Sequence, residues 1–107
     1  MATNTTLLKQ QIYDRLNITW IDTDTDRYIT NIMNSAIITL TNKLGINDNN
    51  FDFSAVGQEN NIILSYCLYV YNHEESNFDD NYYNELLQIR QKNLANQYQE
   101  EINNNNG

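Results

Sequence analysis

Between Ile29 and Leu44, apolar side chains return at a spacing that only a helix can use. Ile29, Ile32, Met33, Ala36, Ile37, Leu40 and Leu44 fall on one stripe at about 3.6 residues per turn. No proline occurs in the 107 residues, so the strongest breaker of helices is missing throughout. The stripe predicts a helix capped by Asp24 or Thr25, with Asp26 in the first turn, where the helix dipole favours an anion. Lys43 in the last turn and Gly45 just beyond it are the expected stop.

The same reading places three more helices. Leu8, Ile12 and Leu16 recur every four residues and predict a first helix over 6–17, with Lys9, Gln10 and Asp14 away from the shared face. Ile18, Thr19 and Ile21 are β-branched and break that period, which predicts an extended connector whose Trp20 fills the core. Asn47, Asp48, Asn49 and Asn50 form turns, so 46–53 reads as a loop. Ser54 is then positioned to cap a third helix over 55–72. In projection Ile62, Ile63, Leu64, Leu68, Val70 and Tyr71 cover every sector of that helix, as expected of a central element surrounded by others. A strand over 62–71 also suits Tyr, Val and Ile, but ten residues without a turn signal favour the helix.

Residues 73–80 read as a polar loop, with Asp79 or Asp80 capping a fourth helix that runs to about Glu101. On it Tyr83, Leu87, Leu94 and Tyr98 make one stripe, and Tyr82, Leu86 and Ile89 make another beside it. Together they span roughly 180°, where one core-facing side needs about 100°. Either this helix is deeply buried or its second side meets another chain. Four consecutive asparagines and Gly107 end the chain with nothing to pack and predict disorder. The expected architecture is all-α: one small four-helix domain over 1–102 with a long C-terminal helix, then a disordered Asn-rich tail over 103–107. A chain this short holds one domain and a modest core.

Fourteen acidic residues against six basic ones give a net charge of −8. A domain that grips duplex phosphates needs clustered Lys and Arg, and this balance argues against one. Cys67 is the only cysteine, so the chain is no disulfide scaffold. The longest apolar stretch, 62–71, is half the roughly 20 residues of a membrane span. The first residues lack the basic stretch and apolar core of an export signal, so the sequons at Asn4 and Asn17 carry no weight. These features predict a soluble protein made in a reducing cytoplasm.

Sites of chemistry are sparse. His73 stands beside Glu74 and Glu75 with no thiol or carboxylate at ligand spacing and reads as a solvated loop residue. Cys67 sits among aromatics and reads as a small buried hydrophobe. Asp22, Asp24 and Asp26 imitate the first half of a calcium loop, but Arg27 replaces the glycine and Met33 the closing glutamate that such a loop needs. A helix start dressed with acids explains them without a metal. The isolated glycines Gly45, Gly57 and Gly107 build no phosphate loop, and no serine is paired with a histidine. Glu74, Glu75, Asp79 and Asp80 read as a solvated acidic loop. The expectation is a protein without catalytic residues, cofactor or metal, which works through surface and shape.

The order of parts carries a resemblance. A short helix from Leu7 to Leu16 leads to an acidic turn ending in Asp26. An isoleucine-rich helix closes on Asn42-Lys43-Leu44-Gly45-Ile46. The apolar, tyrosine-bearing segment from Ile62 to Tyr71 is followed by an acidic stretch and a terminal helix opening Phe78-Asp79-Asp80-Asn81-Tyr82-Tyr83-Asn84-Glu85-Leu86. Over roughly residues 6–100 this pattern of helix faces and a Leu-Gly-Ile corner resembles the head–tail connector (head-completion, or adaptor) proteins of tailed bacteriophages. The resemblance implies a structural virion protein assembled in the host cytoplasm. Its copies would form a ring of about a dozen beneath the portal, extend the DNA channel and offer an attachment surface to a stopper or tail-completion protein. Its long C-terminal helix would help to dock onto the portal protein. Many relatives are more basic after the apolar helix, where this chain has His73-Glu74-Glu75.

The charge agrees with that role, because an acidic channel lining repels phosphates and lets DNA pass without specific binding. The expected interface residues are Tyr82, Leu86, Ile89, Leu94 and Tyr98, and Asp22, Asp24 and Asp26 are expected to face solvent or the channel. No membrane contact is expected. The competing reading is a small acidic helical regulator that binds a host or phage protein, as a DNA-mimicking inhibitor does. Against it, the carboxylates gather in loops and helix starts rather than along one face.

Overall fold

The computed structural model describes residues 2–47 and 50–106, the side chains of 100–106 excepted. Among them the secondary structure is all helical: α1 (Thr5–Leu16), α2 (Thr23–Lys43), α3 (Gln58–Tyr71) and α4 (Glu75–Asn106). The strand alternative for 62–71 is thereby excluded. α3 is the element that the other three share, packing against each of them, while α1 also packs on α2. Its Ile62, Ile63, Leu64, Ser65 and Cys67 are buried, as an element apolar on all sides requires. Leu8 and Ile12 of α1 and Ile29, Ile32, Met33, Ala36 and Leu40 of α2 close on it, and Leu44 follows. Phe78 and Ile89 complete the core from α4.

Three helices end in the same device. After α1, Asn17 adopts φ 58°, its N–H donates to Asp14 O, and the next N–H, from Ile18, donates to Tyr13 O. After α2 the left-handed residue is Gly45 (φ 66°), with the Gly45 and Ile46 N–H groups donating to Asn42 O and Thr41 O. After α3 it is His73 (φ 59°), with the His73 and Glu74 N–H groups on Val70 O and Tyr69 O. Each pair is a Schellman motif, which satisfies carbonyls the helix leaves orphaned and reverses the chain within two residues.

These turns explain where the structure departs from the sequence reading. The residue after a Schellman turn packs back on its own helix, so Ile18 joins the core edge. Trp20 does not fill the core: it is 81% exposed. The turn at His73 is so tight that α4 starts at Glu75, not at Asp79 or Asp80, and the expected loop over 73–80 shrinks to its first residues. The early start puts Phe78 on the inward face. There it stacks on Tyr82 at 4.8 Å and meets Tyr66 and Tyr69 edge-on.

Asp22, rather than Asp24 or Thr25, caps α2 by accepting the Thr25 N–H at 2.7 Å. Ser54 does not cap α3, which begins after Gly57. Its hydroxyl instead accepts the Asn4 N–H and bonds Asp52, and its carbonyl accepts from Gln11 at 3.0 Å. Asn60 joins this knot, donating to Gln11 and to Phe53 O. The loop after α2 is thus tied to α1 and α3 by polar bonds, and Phe53 is buried beneath it. The expected tail over 103–107 lies at the far end of α4, where side chains, and Gly107 altogether, fall outside the described residues.

The left-handed turns predict opposite outcomes for two substitutions. Gly45→Ala places a Cβ at positive φ and 3.2 Å from Arg90 Cγ, and is expected to cost roughly 1–2 kcal/mol. His73→Gly removes a Cβ from the same conformation and is expected to gain up to about 1 kcal/mol. Urea unfolding followed by far-ultraviolet circular dichroism measures both.

Candidate functional site

The acidic turn at the start of α2 is structural at two of its three carboxylates. Hydrogen bonds from Thr25 hold the Asp22 carboxyl below the usual aspartate range. Asp26 lies between Lys9 Nζ, at 3.0 Å, and the Tyr13 hydroxyl, which donates at 2.8 Å. Both bonds hold Asp26 low. The Tyr13 phenol is pushed up to about 12, first by burial and then by its bond to Asp26. Asp26 is therefore half-buried and pins α2 to α1, while Asp22 and Asp24 are exposed. Asp24 stands 3.8 Å from Arg27, also exposed, a pairing that contributes little in water.

Among the described residues no three His, Cys, Asp or Glu side chains gather as a metal site. Cys67 is fully buried, and burial pushes its thiol up to about 12, so it presents no thiolate at neutral pH. His73 serves as the left-handed residue that ends α3. Of the acids beyond it, Asp79 is 3.0 Å from Lys43 and ties the start of α4 to the end of α2. None of this assembles a nucleophile with a base.

What remains is the long last helix, whose contacts change around it and along its length. Phe78 and Ile89 are buried, and Tyr82 and Leu86 pack against the core edge. Ile89, expected at an interface with another chain, is 1% exposed and belongs to the protein's own core. A second row is polar: Arg90 donates to Asn42 O at 3.0 Å, Asn93 to Leu44 O at 2.8 Å and Gln97 to Gly45 O at 2.7 Å. Three side chains at i, i+3 and i+7 thus satisfy carbonyls at the end of α2, where a cation also suits the dipole. The third row is apolar and uncovered. Tyr83, Leu87, Leu94 and Tyr98 lie within about 60° in projection and are 39% to 64% exposed. The breadth of apolar surface on this helix therefore has both of its possible causes, a buried side and a bare one.

Beside that row, Lys43, Tyr83, Leu86, Leu87 and Arg90 enclose a shallow groove of about 160 Å³. Sequence reasoning missed the groove and the exposed Trp20. It also missed the 90/93/97 row, whose only sequence signal is polar residues at helical spacing. No helix of the described residues is long and apolar enough to cross a membrane. Compared with known proteins, the chain matches no family model, no curated protein and no solved structure.

Folding lowers the Asp26 carboxyl, so the stabilisation it contributes is complete above the ordinary aspartate value of 3.8 and is lost as pH falls through the lowered value. Asp26→Asn is expected to unfold at lower urea than the unsubstituted chain at about pH 7, and the gap should close as pH falls through the lowered Asp26 value. A gap independent of pH would show that the ion pair with Lys9 contributes nothing.

Proposed function

We propose that this chain is a structural protein of a tailed-bacteriophage virion, a head–tail connector whose copies form a ring beneath the portal. The observation that carries the reading is the geometry of α4. At 32 residues it is about 48 Å long, against principal extents of 54 × 29 × 19 Å, so it runs most of the length of the molecule. One side is anchored in the body and the other presents Tyr83, Leu87, Leu94 and Tyr98. A helix so exposed on one apolar side needs a partner, and the portal protein and ring neighbours are the partners this reading supplies. A stopper or tail-completion protein would bind the opposite end of the ring. DNA would pass through the acidic channel without specific contact.

The reading assigns a role of surface and shape rather than catalysis. The −8 charge gives some support to the alternative, an acidic regulator that mimics DNA. Yet Asp22, Asp26, Asp52, Glu59 and Asp79 are each engaged within the fold, so much of that charge is not free to imitate a phosphate row. Stoichiometric inhibition of a DNA-binding enzyme by the purified chain would favour the regulator.

Leu94→Asp places a charge in the bare row of α4 without touching the buried one. Particles assembled with this variant are expected to package DNA but to fail in retaining it or in joining tails, as seen by electron microscopy. Normal tailed, filled particles would overturn the proposed role of this face.

A further inference from the structure

Two exposed features lie at opposite ends of α2, and they are complementary. Before its first residue stands Trp20, the only tryptophan, 81% exposed, with Ile21 beside it and Asp22 and Asp24 following. At its far end, about 31 Å away along a 21-residue helix, is the groove of Lys43, Tyr83, Leu86, Leu87 and Arg90. The charges are opposite as well. In a protein of net charge −8, Asp26 is paired with Lys9 and Asp24 with Arg27, and at the groove Lys43 is paired with Asp79; that leaves Asp22 at one end and Arg90 at the other without an ion pair among the described residues.

We propose that the groove between the end of α2 and α4 receives Trp20 of a second copy of this chain. The indole covers Tyr83 and Leu87, which are bare in the single chain, and lies beside the Arg90 guanidinium. Asp22 of the incoming copy faces Arg90. Because donor and acceptor are different surfaces on one molecule, the contact is heterologous. It leaves a free Trp20 at one end of each pair and a free groove at the other, and repeats until a ring closes or a filament grows. This deepens the connector reading, on which it rests for its setting; the contact itself stands on the two surfaces.

The lone tryptophan makes the contact measurable. Over a dilution series of the full chain from micromolar to millimolar, Trp20 emission is expected to move to shorter wavelength in step with a rise in mass by sedimentation. Added salt should reverse both. Trp20→Ala and Leu87→Asp are each expected to weaken association by about thirtyfold, the loss typical of a buried aromatic anchor. The decisive sample is their mixture. Trp20→Ala keeps a groove and Leu87→Asp keeps a tryptophan, so together they should form pairs that stop at two chains.

If Trp20→Ala assembles as well as the unsubstituted chain, the contact is wrong and pairing of α4 on α4 takes its place. If the mixture forms no pairs, the contact is wrong as well. Circular dichroism checks that each variant keeps its helices, and Tyr83→Asp replaces Leu87→Asp if the latter does not. A chain that stays monomeric at millimolar concentration also overturns the contact. Binding of the purified chain to isolated portal rings decides the connector reading separately, because that measurement needs no contact between copies in solution.

Discussion

The structure depends on enclosing α3, whose Ile62, Ile63, Leu64, Ser65 and Cys67 are buried and whose last turn, from Leu68 to Tyr71, is half-buried. A helix apolar all round has no face to give to water, so it can exist only if other elements enclose it. α1, α2 and α4 each turn an apolar stripe toward α3, and α4 keeps a second one bare. The polar knot of Ser54, Asp52, Gln11 and Asn60 seals one end, where the loop crosses above Phe53. No buried side-chain nitrogen or oxygen among the described residues lacks a hydrogen-bond partner. Such closure matters in a small domain, where one unsatisfied group is a large fraction of the total stability.

Helix existence was legible because it is written in spacing. The stripe from Ile29 to Leu44 and the Leu8, Ile12, Leu16 series both appear as buried faces, although Ile37 and Leu16 lie only at the edge. The boundaries were less legible, for a physical reason. A left-handed residue that reverses the chain is obvious when it is Gly45 and nearly silent when it is Asn17 or His73, whose types also suit ordinary loops. Missing the turn at His73 delays α4 by about one and a half turns. Missing the one at Asn17 exchanges the fates of Ile18 and Trp20.

The candidate surface was legible in part. Periodicity alone gave an apolar band on α4 too wide for one purpose, and that width proved real. It did not say which edge of the band was the outer one, since Ile89 and Leu94 differ in position around the helix rather than in chemistry. Only packing on α3 assigns Ile89 inward and leaves Leu94 bare. The acidic turn was legible as a helix start. The partner of Asp26 was not, because Lys9 and Tyr13 are brought to it by the antiparallel return of the chain.

The way α4 is fastened gives it two unequal halves. As far as Ile89 it is held by core packing, so detaching that part would open the interior to water. Past Ile89 it is held to the body by Arg90, Asn93 and Gln97 on backbone carbonyls at the end of α2 and by the Lys92–Glu59 ion pair to α3, polar contacts that water can replace. The outer half can therefore peel away as a unit while the interior stays sealed, at a cost far below that of global unfolding. The seam would be felt in amide hydrogen exchange as a step along the helix just beyond Ile89. The molecule is in this sense a rigid body carrying a detachable arm, and the latch is polar.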